Sequence, residues 1–168
     1  MNGIIHVFPG TFSPPTVGHL EVVRKAAKLC ENLTIICSKN PDKTAWFTPE
    51  ECVELWKSYD LPANVNVTTF SEFAKAKHDM SKIVMVRGIR GEKDLAHESS
   101  VILLNKKDYG IDNYLFILTS SEFENVSSTK AREIAFFEGR TDNLLQMVTA
   151  EVATQLIAKA LAIKKENS

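Results

Sequence analysis

The stretch Ile4-Ile5-His6-Val7-Phe8-Pro9-Gly10-Thr11-Phe12-Ser13-Pro14-Pro15-Thr16-Val17-Gly18-His19-Leu20 sets the fold class. Ile4 to Phe8 is a short, β-branched apolar run closed by Pro9-Gly10, the pattern of a buried strand. From about Thr16 the period becomes helical. Leu20, Val23, Ala27 and Cys30 form one stripe, with Arg24, Lys25 and Lys28 outside it. A buried strand that turns directly into a helix brings backbone amides and a helix dipole together, a favourable place for an anion. Gly10 is expected to permit the sharp turn, and Gly18 to let a phosphate come close to the backbone. His19 falls in the first helical turn. Alone it reads as a surface or packing residue; within this string it reads as a donor to a phosphate oxygen.

The same alternation continues outward. Leu33 to Cys37, Val65 to Phe70, Lys82 to Val86 and Tyr114 to Thr119 have the composition of strands two to five. Thr48-Pro49-Glu50-Glu51 is a capping box with proline at the first helical position, opening a helix through Trp56 to about Tyr59. A short helix with Ala74 and Ala76 follows strand three, and further helices are expected over Glu92 to Asn105, Ser128 to Glu138 and Thr141 to Ile163. Gly139 stops the helix before it. This order specifies an α/β fold: a Rossmann-like, doubly wound parallel five-stranded sheet with C-terminal helices, residues 1–168 forming a single domain. Ligands in such sheets bind at the carboxyl ends of the strands, near the point where strand order reverses. The loops after strands one, four and five are therefore the candidates for chemistry.

Composition bounds the rest. The 168 residues, 44% hydrophobic and 24% charged, can bury a core without disulfides or metal. A net charge of −1 argues against broad nucleic-acid binding, which needs a basic surface. Cys30, Cys37 and Cys52 are odd in number and lack a C-x-x-C pair, so reduced, buried thiols are expected. No run is long and apolar enough to span a bilayer, and the expectation is a cytoplasmic protein with no membrane partner.

The loop after strand four reads Arg87-Gly88-Ile89-Arg90-Gly91-Glu92-Lys93-Asp94, placing two guanidinium groups at the sheet's edge. Such forks match phosphate geometry, though Arg87 or Arg90 paired with Glu92 or Asp94 would also tie down the next helix. After strand five, Ser127, Ser128 and Thr129 stand at a helix start, where they read as caps or as phosphate ligands. Lys43, in the loop Asn40-Pro41-Asp42-Lys43-Thr44, reads by default as a solvated lysine.

Together these strings resemble a known superfamily. Gly10-Thr11-Phe12-x-Pro14-x-Thr16-x-Gly18-His19 is similar to the nucleotidyltransferase signature with its (H/T)-x-G-H element, and Arg87-Gly88-Ile89-Arg90 with Asp94 and Glu98 resembles the corresponding segment of bacterial phosphopantetheine adenylyltransferases. The resemblance implies transfer of the adenylyl group of ATP to 4'-phosphopantetheine, giving dephospho-coenzyme A and pyrophosphate. It implies catalytic roles for His19, Lys43 and Arg90, with His19 stabilising charge at the α-phosphate and Lys43 bridging donor and acceptor phosphates. ATP would contact Thr11, Phe12, His19, Gly88, Ile89, Arg90 and Glu98, and also the run Phe123, Glu124, Asn125, Val126, Ser127, Ser128 and Thr129. The acceptor would contact Thr11, Lys43, Ala74 and Arg87. Mg²⁺ would ride on the β- and γ-phosphates with no protein ligands. The family's habit implies a homo-oligomer, a hexamer.

Some positions depart from the resembling family. Ser13 stands where an aspartate is usual, Pro15 and Val17 replace other common residues, Lys130 takes a usually apolar position and His97 an often aromatic one. Ser71 to Asp79, which should shape the pantetheine pocket, aligns ambiguously. Two alternatives therefore stay open: a related enzyme acting on nicotinate mononucleotide or a phospho-alcohol, and a non-catalytic nucleotide-binding module in which Ser13 marks lost chemistry.

Overall fold

A computed structural model describes residues 3–167, apart from the side chains of Lys93 and His97, so the expectation on His97 lies outside the described residues. Five strands, β1 (Ile5–Gly10), β2 (Leu33–Cys37), β3 (Val65–Thr69), β4 (Ile83–Ile89) and β5 (Asn113–Leu118), form one sheet in the order β3-β2-β1-β4-β5. Every neighbouring pair is parallel. The helices are α1 (Val17–Ala27), α2 (Pro49–Trp56), α3 (Phe70–Lys75), α4 (Glu92–Tyr109), α5 (Ser128–Phe137), α6 (Asp142–Leu145) and α7 (Ala150–Glu166).

Strand order reverses between β1 and β4, and the sheet divides there. β1 and β4 are in register only from Ile5 opposite Ile83 to Val7 opposite Met85. On the outer sides pairing runs on, to Gly10 opposite Cys37 and to Ile89 opposite Leu118. The carboxyl halves of the two central strands thus part and leave a crevice, as expected at a switch point.

Side chains alternate across the pleat. Phe8, Leu33, Ile35, Val86 and Ile117 face a large core shared with Val23 of α1, Trp56 of α2, Ile134 of α5 and Leu156 of α7. Val7, Ile36 and Ile83 face a smaller cluster with Ile111, packed by Phe73 of α3. The second face is thinly covered, and α4 carries Leu103 and Leu104 exposed at 70% and 58%.

The capping box predicted at Thr48 is formed: Thr48 Oγ1 accepts from Glu51 N at 3.2 Å and Glu51 Oε2 from Thr48 N at 2.8 Å. Other expectations need correcting. β1 continues through Pro9-Gly10, and β4 runs to Ile89, so Arg87, Gly88 and Ile89 are strand residues rather than loop. α1 ends at Ala27 and leaves Cys30 buried but off the helix, while α4 extends to Tyr109.

The single helix expected from Thr141 to Ile163 is two, α6 and α7, capped by Thr141 and Thr149. An unbroken four-residue stripe hides the break, because Leu144, Val148, Val152, Leu156 and Ala160 are all buried. The break also has a partner. Met147 O there accepts the first amide of α1, Val17 N, at 2.9 Å. All three cysteines are free and buried.

Candidate active site

The crevice opens into a cavity of about 600 Å³ lined from the three predicted loops and from the loop after β2. The first loop is held by its own aromatic ring. Phe12, at φ 47°, folds back so that its ring would meet a Cβ on Gly10 at 2.6 Å. Gly10 is therefore required for that close approach rather than for a turn. Phe12 is buried, edge-on to Phe8, Trp56 and His19.

His19 is both cap and cavity wall. Thr16 N donates to its Nδ1 at 3.1 Å, and Thr16 Oγ1 lies 3.0 Å from the same atom, so the imidazole plays the part usually taken by glutamate in a capping box. An Nδ1 that accepts a backbone N–H carries no proton, which places the neutral ring's proton on Nε2. The surroundings keep the ring neutral: burial, then the positive fields of Arg90 and Lys43, push its pKa down to about 4. The ring is closely packed by protein yet only partly hidden from solvent, since one edge borders the cavity. At neutral pH, His19 presents one N–H donor and no charge.

The two arginines of β4 are already paired. Arg87 meets the buried Glu98 in a two-point fork, Nε to Oε2 at 2.7 Å and Nη2 to Oε1 at 2.6 Å, and reaches Pro9 O at 3.4 Å. Arg90 pairs with Asp94, Nε to Oδ2 at 3.0 Å. Asp94 Oδ2 also accepts from Arg90 N and so closes the start of α4. The tie-down of α4 is therefore observed, with Glu98 rather than Glu92 as the partner of Arg87. Gly88 between them is fixed by packing: a Cβ would sit 2.7 Å from Val22 Cγ2 of α1.

The hydroxyls at the start of α5 each have a protein partner. Ser127 caps the helix by accepting from Lys130 N, Ser128 Oγ donates to Pro14 O at 2.7 Å, and Thr129 Oγ1 accepts from Arg132. Arg132 also donates to Ser13 O at 2.6 Å. Upstream, Glu21 of α1 accepts from Ser120 N at 3.0 Å and pairs with Lys25 at 2.7 Å, holding the end of β5. Burial pushes its carboxyl up, but the hydrogen bonds from Lys25 and Ser120 together outweigh it and hold the group below the usual range.

Thr11, Phe12, His19, Lys43, Arg87, Gly88, Arg90, Glu98 and the run Phe123 with Val126 to Thr129 all line the cavity. Four expected residues do not. Ala74 lies exposed on α3, Ile89 is turned into the core, and Glu124 and Asn125 are exposed on the outer side of their turn. Asp42, Thr44, Asp94, Thr119 and Arg132 line it without having been singled out for contact. Asp94 sat within a matched string, Arg132 comes from the first turns of α5, and Thr119 is brought in by the last rung of β5, where its N donates to Ile89 O.

A family model described as cytidylyltransferase-like matches residues 7–134. That match defines the class, a nucleotidyltransferase of the cytidylyltransferase-like kind. The phosphopantetheine adenylyltransferase of Rhodopirellula baltica is 36% identical over 162 residues, covering 94% of this chain and 89% of that protein. The one from Cyanothece sp. is 34% identical over 155 residues, covering 91% and 90%. The chain belongs to the phosphopantetheine adenylyltransferase family, within the cytidylyltransferase-like class. A solved structure of Plasmodium falciparum nicotinic acid mononucleotide adenylyltransferase complexed with NaAD superimposes with a TM-score of 0.66 at 13% identity, covering 93% and 95%, and speaks to the fold alone.

Proposed function

We propose that this chain joins the adenylyl group of ATP to 4'-phosphopantetheine, releasing pyrophosphate and forming dephospho-coenzyme A. An acceptor phosphate oxygen attacks the α-phosphorus, and the bond from that phosphorus to the bridging oxygen of pyrophosphate breaks. Little covalent help is needed; position and charge neutralisation carry the rate. The observation that supports this reading best is the convergence on one cavity of neutral His19, Lys43, Arg87 and Arg90 from the ends of three strands, β1, β2 and β4. His19 Nε2–H would donate to an α-phosphate oxygen as charge builds there, and Lys43 and Arg90 would neutralise the crowded phosphates. Arg87, oriented by Glu98, would face the acceptor.

Mg²⁺ would arrive with the β- and γ-phosphates, held mostly by them and by water, and would supply charge neutralisation there. The donor set suits that role, because two of the three lining carboxylates, Glu98 and Asp94, are engaged by Arg87 and Arg90, and only Asp42 would be left to meet the ion or its water. We further infer one nucleotidyltransferase domain, cytoplasmic, assembled as a homo-oligomer through the exposed leucines of α4. The mass measured by light scattering tests the assembly. No helix of the described residues is long and apolar enough to cross a membrane.

The deciding experiment measures pyrophosphate release with Mg-ATP and either phosphopantetheine or nicotinate mononucleotide. Release with phosphopantetheine, with dephospho-coenzyme A as product, is expected. Release with nicotinate mononucleotide alone would overturn the acceptor and keep the chemistry.

A further inference from the structure

We propose that Ser13 is a positioning residue for Lys43, acting through the loop that carries it. This rests on the reading of Lys43 as the cation between the two phosphates. The loop from Ser38 to Phe47 leaves β2 and is fastened to the first loop at both ends. At the near end Ser38 N donates to Gly10 O at 2.9 Å. At the far end a single hydroxyl takes two amides: Trp46 N and Phe47 N donate to Ser13 Oγ at 2.9 and 3.0 Å.

Between these ends the loop is exposed, and Asp42, Lys43 and Thr44 of it line the cavity. Its own bonds are a tight turn, Asp42 N to Asn40 Oδ1 at 2.9 Å and Lys43 N to Asn40 O at 3.1 Å. That turn shapes the tip and does not fix it in space. Fixing falls to the ends: at the far end the side chains of Phe47 and Trp46 pack on the core, and the two backbone amides there depend on one oxygen.

Ser13 is 1% exposed, so water cannot take over as acceptor if the hydroxyl is lost. The same residue faces the nucleotide side through its backbone, where Ser13 O accepts from Arg132 and Pro14 O from Ser128. Ser13 thus sets the distance between the Lys43 loop and the start of α5. The job requires an acceptor and no charge. Serine supplies that where an aspartate is usual in the family, so the substitution keeps the pin and does not mark lost chemistry.

The test compares Ser13→Ala, Ser13→Cys and Ser13→Asp with the wild type. Ser13→Ala should lower kcat/KM for phosphopantetheine roughly ten- to a hundredfold, the scale of a misplaced reacting group. ATP affinity, measured by calorimetry without acceptor, should stay near the wild-type value, and Ser13→Asp should recover most of the lost turnover. Because Ser13 acts through Lys43, the double variant Ser13→Ala, Lys43→Ala should be no slower than Lys43→Ala alone; independent, additive losses would overturn the proposal.

Ser13→Cys keeps the size with a weaker acceptor and gives the same ordering if the alanine variant does not fold. Amide hydrogen exchange at Trp46 and Phe47 should speed up in Ser13→Ala and Ser13→Cys, a readout that needs no substrate. Wild-type protein inactive toward phosphopantetheine would sink the functional reading, and exchange would still decide the pin. Unchanged exchange with wild-type turnover in both variants would sink the pin alone.

Discussion

His19 shows how one side chain acquires two duties. Its Nδ1 is taken by the backbone of Thr16, and that single bond assigns the remaining proton to Nε2, the atom available for a phosphate. Burial lowers its pKa from 6.5 to about 4, with Arg90 and Lys43 adding to the effect. Unfolded chain therefore binds a proton at His19 between those values while folded chain does not, so stability falls as pH drops from about 6.5 toward 4. Ring chemical shifts should show a midpoint near 4, and His19→Gln should lose less melting temperature over that range than the wild type; a midpoint at 6.5 would refute the burial argument. Replacing His19 by alanine should cut kcat about a hundred- to a thousandfold with ATP affinity little changed, because the donor acts on charge that develops in the transition state. Arg87 and Glu98 make a second residue-scale case. Glu98→Ala would leave a guanidinium unpaired in the crevice and should cost roughly 3 kcal/mol by urea unfolding, toward the low end for a buried pair because Arg87 stays 24% exposed.

At the scale of elements, the site depends on how closely α1 can lie on β4. A Cβ at Gly88 would stand 2.7 Å from Val22 Cγ2, inside any tolerable contact. Gly88→Ala should therefore destabilise by about 1–3 kcal/mol, and adding Val22→Ala should recover part of the loss. An unchanged unfolding midpoint in Gly88→Ala would show that α1 shifts freely. The break between α6 and α7 works on the N-terminal end of the same helix. Met147 O satisfies Val17 N there, so the chain's last segment helps to hold the first loop. Thr149→Ala, which removes the cap of α7, should lower stability by about 1 kcal/mol.

Across the whole molecule, the divided sheet is what turns four separate segments into a site. The crevice gathers cations that would repel one another, and Glu98 and Asp94 hold two of them in place. Ligand binding then adds to native stability by mass action, so ATP and phosphopantetheine should each raise the melting temperature with concentration, measurable by a thermal scan. A ligand that leaves it unmoved has no place in the crevice.

Local pattern was enough to reveal the parallel sheet, the Thr48 cap and most of the cavity wall. Strand and helix periods, glycine and proline punctuation and capping side chains act over a few residues, and so they can be read along the chain. Ser13 as a double acceptor, Glu98 rather than Glu92 as the partner of Arg87, Gly10 as room for a folded-back ring, and the interrupted last helix could not be read that way. Each depends on groups that meet only after packing: the amides of Trp46 and Phe47 lie 33 and 34 residues from Ser13. Sequence alone determined the five strands, the helices between them and which residue types reach the sheet's edge. Only the tertiary structure decided which charges and buried amides pair with each other, because those bonds are chosen by distance in space, and distance along the chain does not set it.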